Sequence, residues 1–85
     1  MTTTTKFTGL SGLQTAALAQ AVEEHVLPAT VQVNKTTAVF PWDAATTHAS
    51  LLEVKAIMAA KHGSRQHPVA SLHAVIRKAA RASMV

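Results

Sequence analysis

Residues 68–82 decide the fold, and they read Pro68-Val69-Ala70-Ser71-Leu72-His73-Ala74-Val75-Ile76-Arg77-Lys78-Ala79-Ala80-Arg81-Ala82. Apolar side chains recur in this stretch at the three- and four-residue spacing of one helical face: Val69, Leu72, Val75, Ile76 and Ala79. Proline suits the first position of a helix, because the backbone N–H that it lacks has no partner there. The pattern predicts an amphipathic helix to about residue 82, with its aliphatic side against the body of the protein.

The opposite side of this helix is cationic. It carries His73, Arg77, Lys78 and Arg81, with the small residues Ala70 and Ala74 among them. Arg77 and Arg81 are one helical turn apart, and alanines between long cations let a polymer backbone or another helix approach closely. This side is therefore a candidate binding surface.

The loop before the helix extends this candidate surface. Ser64 and Arg65 place a hydroxyl, a guanidinium and backbone amides near a helix N-terminus, which is a natural anion site. We predict phosphate contacts from Arg65, Arg77, Lys78 and Arg81, with Lys61 or His73 at the rim.

Charge is distributed unevenly along the 85 residues. No acidic residue follows Glu53, whereas six cations lie between Lys55 and Arg81, which gives this part a formal charge of +6. Residues 1–53 hold two lysines against four acids, for −2, and the whole chain has +4. A one-sided basic end favours anionic partners, with nucleic acid first among them.

Two further helices precede the basic one. Ser11 and Gln14 form a capping-box pattern, and Pro28 should stop the helix that follows, which predicts a helix over 12–27. Ser50 and Glu53 form a second capping-box pattern, in competition with starts at Asp43, Thr46 and Thr47. With Gly63 as the stop, we predict a helix over 47–62. Its broad apolar side, with Leu51, Val54, Ile57 and Met58, is typical of a central helix or of one that faces a partner subunit.

Residues 30–40 are rich in β-branched side chains, and polarity alternates in the first part of this stretch. The pattern predicts a hairpin or a single strand. Residues 1–10 are rich in threonine, and we expect them to form a flexible leader. The predicted fold is mainly α with a small β element, in the order α-β(β)-α-α, as a single compact domain over 11–85.

The order strand, helix, glycine turn, helix over residues 36–81 resembles the ribbon-helix-helix repressors, with residues 36–40 as the ribbon. That resemblance covers about half of the chain and implies a dimer whose paired ribbons enter the major groove. The chain departs from the pattern in three ways: the ribbon offers only Lys35 at its edge and no arginine, the second helix is long, and another helix precedes the motif.

Several classes of function lack their residues. There is no cysteine, no two of His62, His67 and His73 share a helical face, and the acids are scattered or adjacent, so we expect no metal, no cofactor and no enzymatic activity. No apolar run is long enough for a signal or a membrane span, and we expect a cytoplasmic protein. Phe7, Phe40 and Trp42 are the only aromatic residues, which favours backbone contact with a duplex over base stacking.

The residues thus predict a small non-enzymatic DNA-binding protein, regulatory or architectural, that uses its basic C-terminal helix. We also expect a homodimer, with the second helix and the strand at the contact. The alternative is a protein-interaction module that meets an acidic protein surface, such as a small phage or mobile-element inhibitor, an adaptor or a particle subunit.

Overall fold

Three helices and a small antiparallel sheet form the structure, a computed structural model that describes residues 4–63 and 67–83. In chain order the elements are β1 (Thr5–Phe7), α1 (Gly12–Glu23), β2 (Gln32–Val33), β3 (Ala38–Phe40), α2 (Ala44–His62) and α3 (His67–Ser83). A mainly helical fold with a small β element is confirmed, as is the order helix, hairpin, helix, helix within one body. The strand β1 is an addition to the predicted order.

The capping box at the start of α1 is confirmed. The Ser11 hydroxyl accepts from the Gln14 N–H, and the Gln14 side chain accepts from the Ser11 N–H. The helix ends at Glu23, earlier than the predicted residue 27. It ends in a Schellman motif, in which Val26 N–H donates to Ala21 C=O and His25 takes a left-handed φ of 63°. This turn stops the helix before Pro28 can.

The strand β3 is the centre of the sheet, with β1 on one side and β2 on the other. β2 and β3 pair Gln32 with Val39 and Val33 with Ala38, so the hairpin alternative is correct. The turn centres on Lys35-Thr36, and Asn34 N–H donates across it to Thr37 C=O. Neither central residue has a positive φ, so a lysine fits this turn without strain.

Both edges of β3 are therefore occupied within the chain. A ribbon-helix-helix dimer needs that strand to pair with its copy in a second chain. Here β1 fills the edge that the copy would use, because Thr5, Lys6 and Phe7 pair with Phe40, Val39 and Ala38. Pairing of β3 with its copy is therefore blocked by β1 and β2, whereas the expected homodimer with the second helix at its contact stays a prediction.

The N-terminal segment belongs to the folded body from Thr5 onward. Phe7 and Leu10 are only 6% and 3% exposed, and the Phe7 ring meets Phe40 edge to face with centroids 5.5 Å apart. Thr5 Oγ1 donates to Trp42 C=O at 2.7 Å. The expectation of a flexible leader over residues 1–10 thus differs from the structure at residues 5–10; residues 1–3 lie outside the described ones. Burial of two large apolar side chains outweighs the polarity of the threonines around them.

Helix α2 begins three residues earlier than predicted. Asp43 is its N-cap, with Oδ1 accepting from Thr46 N–H at 2.7 Å, and Ser50 lies inside the helix. The inward side holds Thr47, Leu51, Val54 and Met58. Ile57, which the sequence grouped with these residues on one broad apolar side, is 46% exposed, and Leu52 is 47% exposed.

Helix α3 packs on α1 and α2 through the predicted face. Val69, Leu72, Val75, Ile76 and Ala79 are all buried. Among the described residues, no helix combines the length and apolar composition that crossing a bilayer requires.

Candidate nucleic-acid interface

The outward face of α3 carries the cations that the sequence placed there. Arg77 and Arg81 are exposed, Lys78 is half-buried, and Ala70 and Ala74 lie on the same side. Because the aliphatic residues of this helix are all buried against α1 and α2, the helix cannot rotate to hide its charges without exposing its core face.

A shallow cavity of about 210 Å³ brings three of these cations together. Arg77, Lys78 and Arg81 line it, Ala74 forms part of its wall, and Gln14 of α1 closes one side. Among the described residues, the lining contains guanidinium, ammonium and amide groups and no carboxylate. Such a set of donors can bind an oxyanion, and the guanidinium groups can do so with two parallel hydrogen bonds.

The capping box orients Gln14 in this cavity. Its Oε1 accepts from the Ser11 N–H at 2.9 Å, so the acceptor end of the amide is turned toward the backbone of α1. The other end of the amide is a donor, which suits an anionic ligand. Sequence reasoning found Gln14 as a capping residue but missed it as a site residue, because no local pattern links position 14 to position 77.

Lys78 is tied to the N-terminal segment. Its Nζ donates to the Thr8 carbonyl oxygen at 3.3 Å, across 70 positions of the chain. The contact holds the ammonium at the edge of the cavity and couples the position of the charge to β1.

Lys61, expected at the rim, lies in an ion pair instead. Its Nζ is 3.3 Å from Glu24 Oε1, and His62 Nε2 is 2.9 Å from the same oxygen. Hydrogen bonds from Gln20, then from His62 and Lys61, lower the pKa of Glu24 to about 2. The Glu24 carboxylate thus pairs with Lys61, which is not part of the cavity lining, and the role of Lys61 at the rim stays a prediction.

His73 is not part of the cavity lining. His73 Nδ1 lies 3.3 Å from Lys55 Nζ, on the flank of α3 that faces α2. Arg65 lies outside the described residues. Of the six predicted site residues, the structure therefore brings together Arg77, Lys78 and Arg81.

The other side-chain clusters and hollows considered among the described residues bring together fewer reactive groups. Within the described ranges, no three histidine or acidic side chains come together as a metal site requires. Another hollow lies between α1 and the hairpin, with a volume of about 440 Å³. Lys35 is the ionisable residue of its lining, which is otherwise small, apolar or uncharged, so no set of reactive groups converges there.

Comparisons with protein-family models, with curated proteins and with solved structures find no match for this chain. Its function is therefore inferred from the geometry and charge of its own residues.

Proposed function

We propose that the chain is a small, non-enzymatic cytoplasmic protein that binds duplex DNA through the phosphate backbone. Arg77, Lys78 and Arg81 supply the charge, and Gln14 adds a neutral donor. One observation carries the proposal: three cations from about one turn of α3 converge on one outward cavity, and no carboxylate of the described residues lines it.

The placement of the acids supports this assignment. The ion pairs of the described residues both involve Glu24, which lies at the far end of α1 from Gln14. Asp43 is engaged as a helix cap, and Glu53 projects from α2. With no described carboxylate within ion-pair distance, the charges of the α3 face remain effective toward phosphates, where release of counterions drives binding.

The aromatic residues favour a duplex over a single strand. Phe7 and Phe40 are buried, and Trp42 is half-buried with its ring stacked on Phe40 at 6.2 Å. Single-strand binders stack bases on exposed rings. Phosphate contacts position a protein on DNA without reading the sequence, which favours an architectural role over a regulatory one.

The test is a salt titration of binding to an unrelated duplex. For the wild-type chain, we expect log Kd to vary steeply with log salt concentration. Replacing both arginines, R77A/R81A, should flatten that slope by about 2 and weaken binding roughly tenfold or more, about equally across duplex sequences.

The matched control is K35A/K61A, which removes the same charge from residues outside the cavity. Its effect on the slope should be clearly smaller than that of R77A/R81A. Equal effects would mean that net charge alone attracts the DNA, and an absence of salt-dependent binding by the wild-type chain would contradict the proposal.

A second candidate is the protein-interaction module. The exposed Leu52 and Ile57 of α2 favour it, because large apolar side chains on the surface of one helix mark contacts with other proteins. A complex with a defined acidic protein that survives high salt, without duplex binding, would support this candidate instead.

A further inference from the structure

The outward face of α2 is apolar where that of α3 is charged. We define the α2 outer face as Ala45, Ala49, Leu52, Glu53, Ala56, Ile57 and Ala60, all of which are exposed. Leu52 and Ile57 each leave almost half of their surface in water. The four alanines of the face make it flat, so another helix could approach it closely.

The two flanks of this face differ in shape and in charge. On the flank toward α3 are the exposed Leu52 and, three residues later in the helix, Lys55, whose Nζ is 3.3 Å from His73 Nδ1. On the opposite flank, Glu53 and Ile57 border an apolar groove of about 190 Å³. The groove is completed by Val26, Leu27, Pro28, Trp42, Ser50 and Val54.

These flanks complement each other. One presents an apolar protrusion and a cation, and the other presents an apolar groove and a carboxylate. When two parallel helices are related by a two-fold axis that runs along them, the opposite flanks of the two copies meet. In an antiparallel pair each flank would meet itself, and Glu53 would face Glu53.

We propose that the α2 outer face binds a second copy of this chain, with the two α2 helices side by side and parallel. Leu52 of each copy packs at the groove beside Trp42 and Ile57 of the other. Lys55 of each copy faces Glu53 of the other. The occupant is a copy rather than nucleic acid, since Glu53 is the charged residue of the face and would repel phosphates.

This assembly is independent of the proposed DNA binding, because the α2 outer face and the α3 cavity share no residue. R77A/R81A should self-associate as the wild-type chain does. Failure of one proposal therefore leaves the other intact.

The first experiment measures the mass of the full chain by analytical ultracentrifugation, without nucleic acid. Concentrations run from roughly 1 to 500 µM, the range in which weak interfaces form. We expect a monomer–dimer equilibrium. Leu52→Glu should weaken dimerisation by about tenfold or more, because it places a charge at the centre of an apolar contact.

The matched control is Leu13→Glu, an equal change at a leucine that is 62% exposed on α1, outside the α2 outer face. It should dimerise like the wild-type chain. A wild-type chain that stays monomeric over the whole range overturns the proposal, and so does an equal effect of the two variants. Both leucines are too exposed for either change to disturb the core, which circular dichroism can verify.

The second experiment tests the parallel arrangement by charge reversal. Glu53→Lys should weaken dimerisation by about threefold to tenfold, since it brings two cations together at each flank. The double variant E53K/K55E should restore much of the loss, because the pair is re-formed with its signs exchanged. In an antiparallel dimer the second change would not rescue the first, so a lack of rescue overturns the parallel pairing that we propose.

Discussion

Helices α2 and α3 are similar in length and share one core, yet their outward faces have opposite chemistry. α3 separates aliphatic from cationic residues, so its sequence already indicates which side is buried. α2 has apolar residues on both sides, and the buried side is Leu51, Val54 and Met58, while Leu52 and Ile57 remain exposed. A clean division of polarity predicts how a helix is oriented, and a diffuse one does not.

The largest effect on stability should come from a substitution in the hydrophobic core, because the outward faces of α2 and α3 both depend on that core. Phe7→Ala removes a ring that is buried against Phe40, and we expect it to lower the free energy of unfolding by about 3 kcal/mol or more. It should also weaken DNA binding more than it weakens dimerisation. Thr8 is the next residue along the chain, and its carbonyl oxygen accepts the hydrogen bond that holds Lys78. Urea denaturation measures the first effect.

Thr4→Ala is the control for this change, because Thr4 is exposed beside the same strand. It should change stability by no more than about 0.5 kcal/mol. If Phe7→Ala were as mild as Thr4→Ala, the N-terminal segment would behave as the flexible leader expected from its composition.

The next largest effects, on duplex binding and on dimerisation, distinguish the α3 cavity from the α2 outer face. R77A/R81A should weaken duplex binding roughly tenfold or more and leave dimerisation unchanged. L52E should weaken dimerisation roughly tenfold or more and leave duplex binding unchanged. Both variants are assayed for both properties, by fluorescence anisotropy and by ultracentrifugation. A variant that lost both properties while remaining folded would show that the faces are not independent.

A smaller effect concerns the start of α2. Asp43→Ala removes the carboxylate that accepts from Thr46 N–H, and it should lower stability by about 1 kcal/mol. Ser50→Ala, at one of the competing caps that the sequence offered, should cost no more than about 0.5 kcal/mol because Ser50 lies inside the helix. Thermal denaturation of both variants tests this order, and the reverse order would contradict the cap at Asp43.

The smallest effect should come from the exposed ion pairs of Glu24. The pKa of this carboxyl is lowered to about 2, so its contribution to stability is complete above pH 4.5 and is lost as the pH falls toward 2. Glu24→Gln should be less stable than the wild-type chain at pH 7, and the difference should shrink over that range. A difference that stayed constant from pH 7 to pH 2 would contradict the lowered pKa.

Local patterns predicted much of the fold. The capping box at Ser11, the hairpin at 30–40 and the buried face of α3 follow from interactions between residues that are close in sequence. The strand β1 could not be found in this way. Three residues gain a strand conformation only through pairing with β3, more than 30 positions away, and through burial of Phe7.

The residues of the candidate site also divide into those that local spacing predicts and those that only tertiary contacts bring in. One turn of α3 brings Arg77, Lys78 and Arg81 together, so their spacing was sufficient to predict them. Gln14 joins them only because α1 packs beside α3, whereas Lys61 is not part of the lining and pairs with Glu24 at 3.3 Å. Both outcomes depend on contacts between elements that are distant in sequence.

By itself, the sequence determined that this chain is mainly helical, that its last helix turns cations outward and that its basic half lacks acids of its own. Only the tertiary structure decided which cation is neutralised, which side of α2 faces water and that β3 has a partner on each edge. The physical reason is the distance along the sequence over which each kind of interaction acts. Helical periodicity and capping act over three or four residues, whereas ion pairing, strand pairing and burial depend on which segments the core brings into contact.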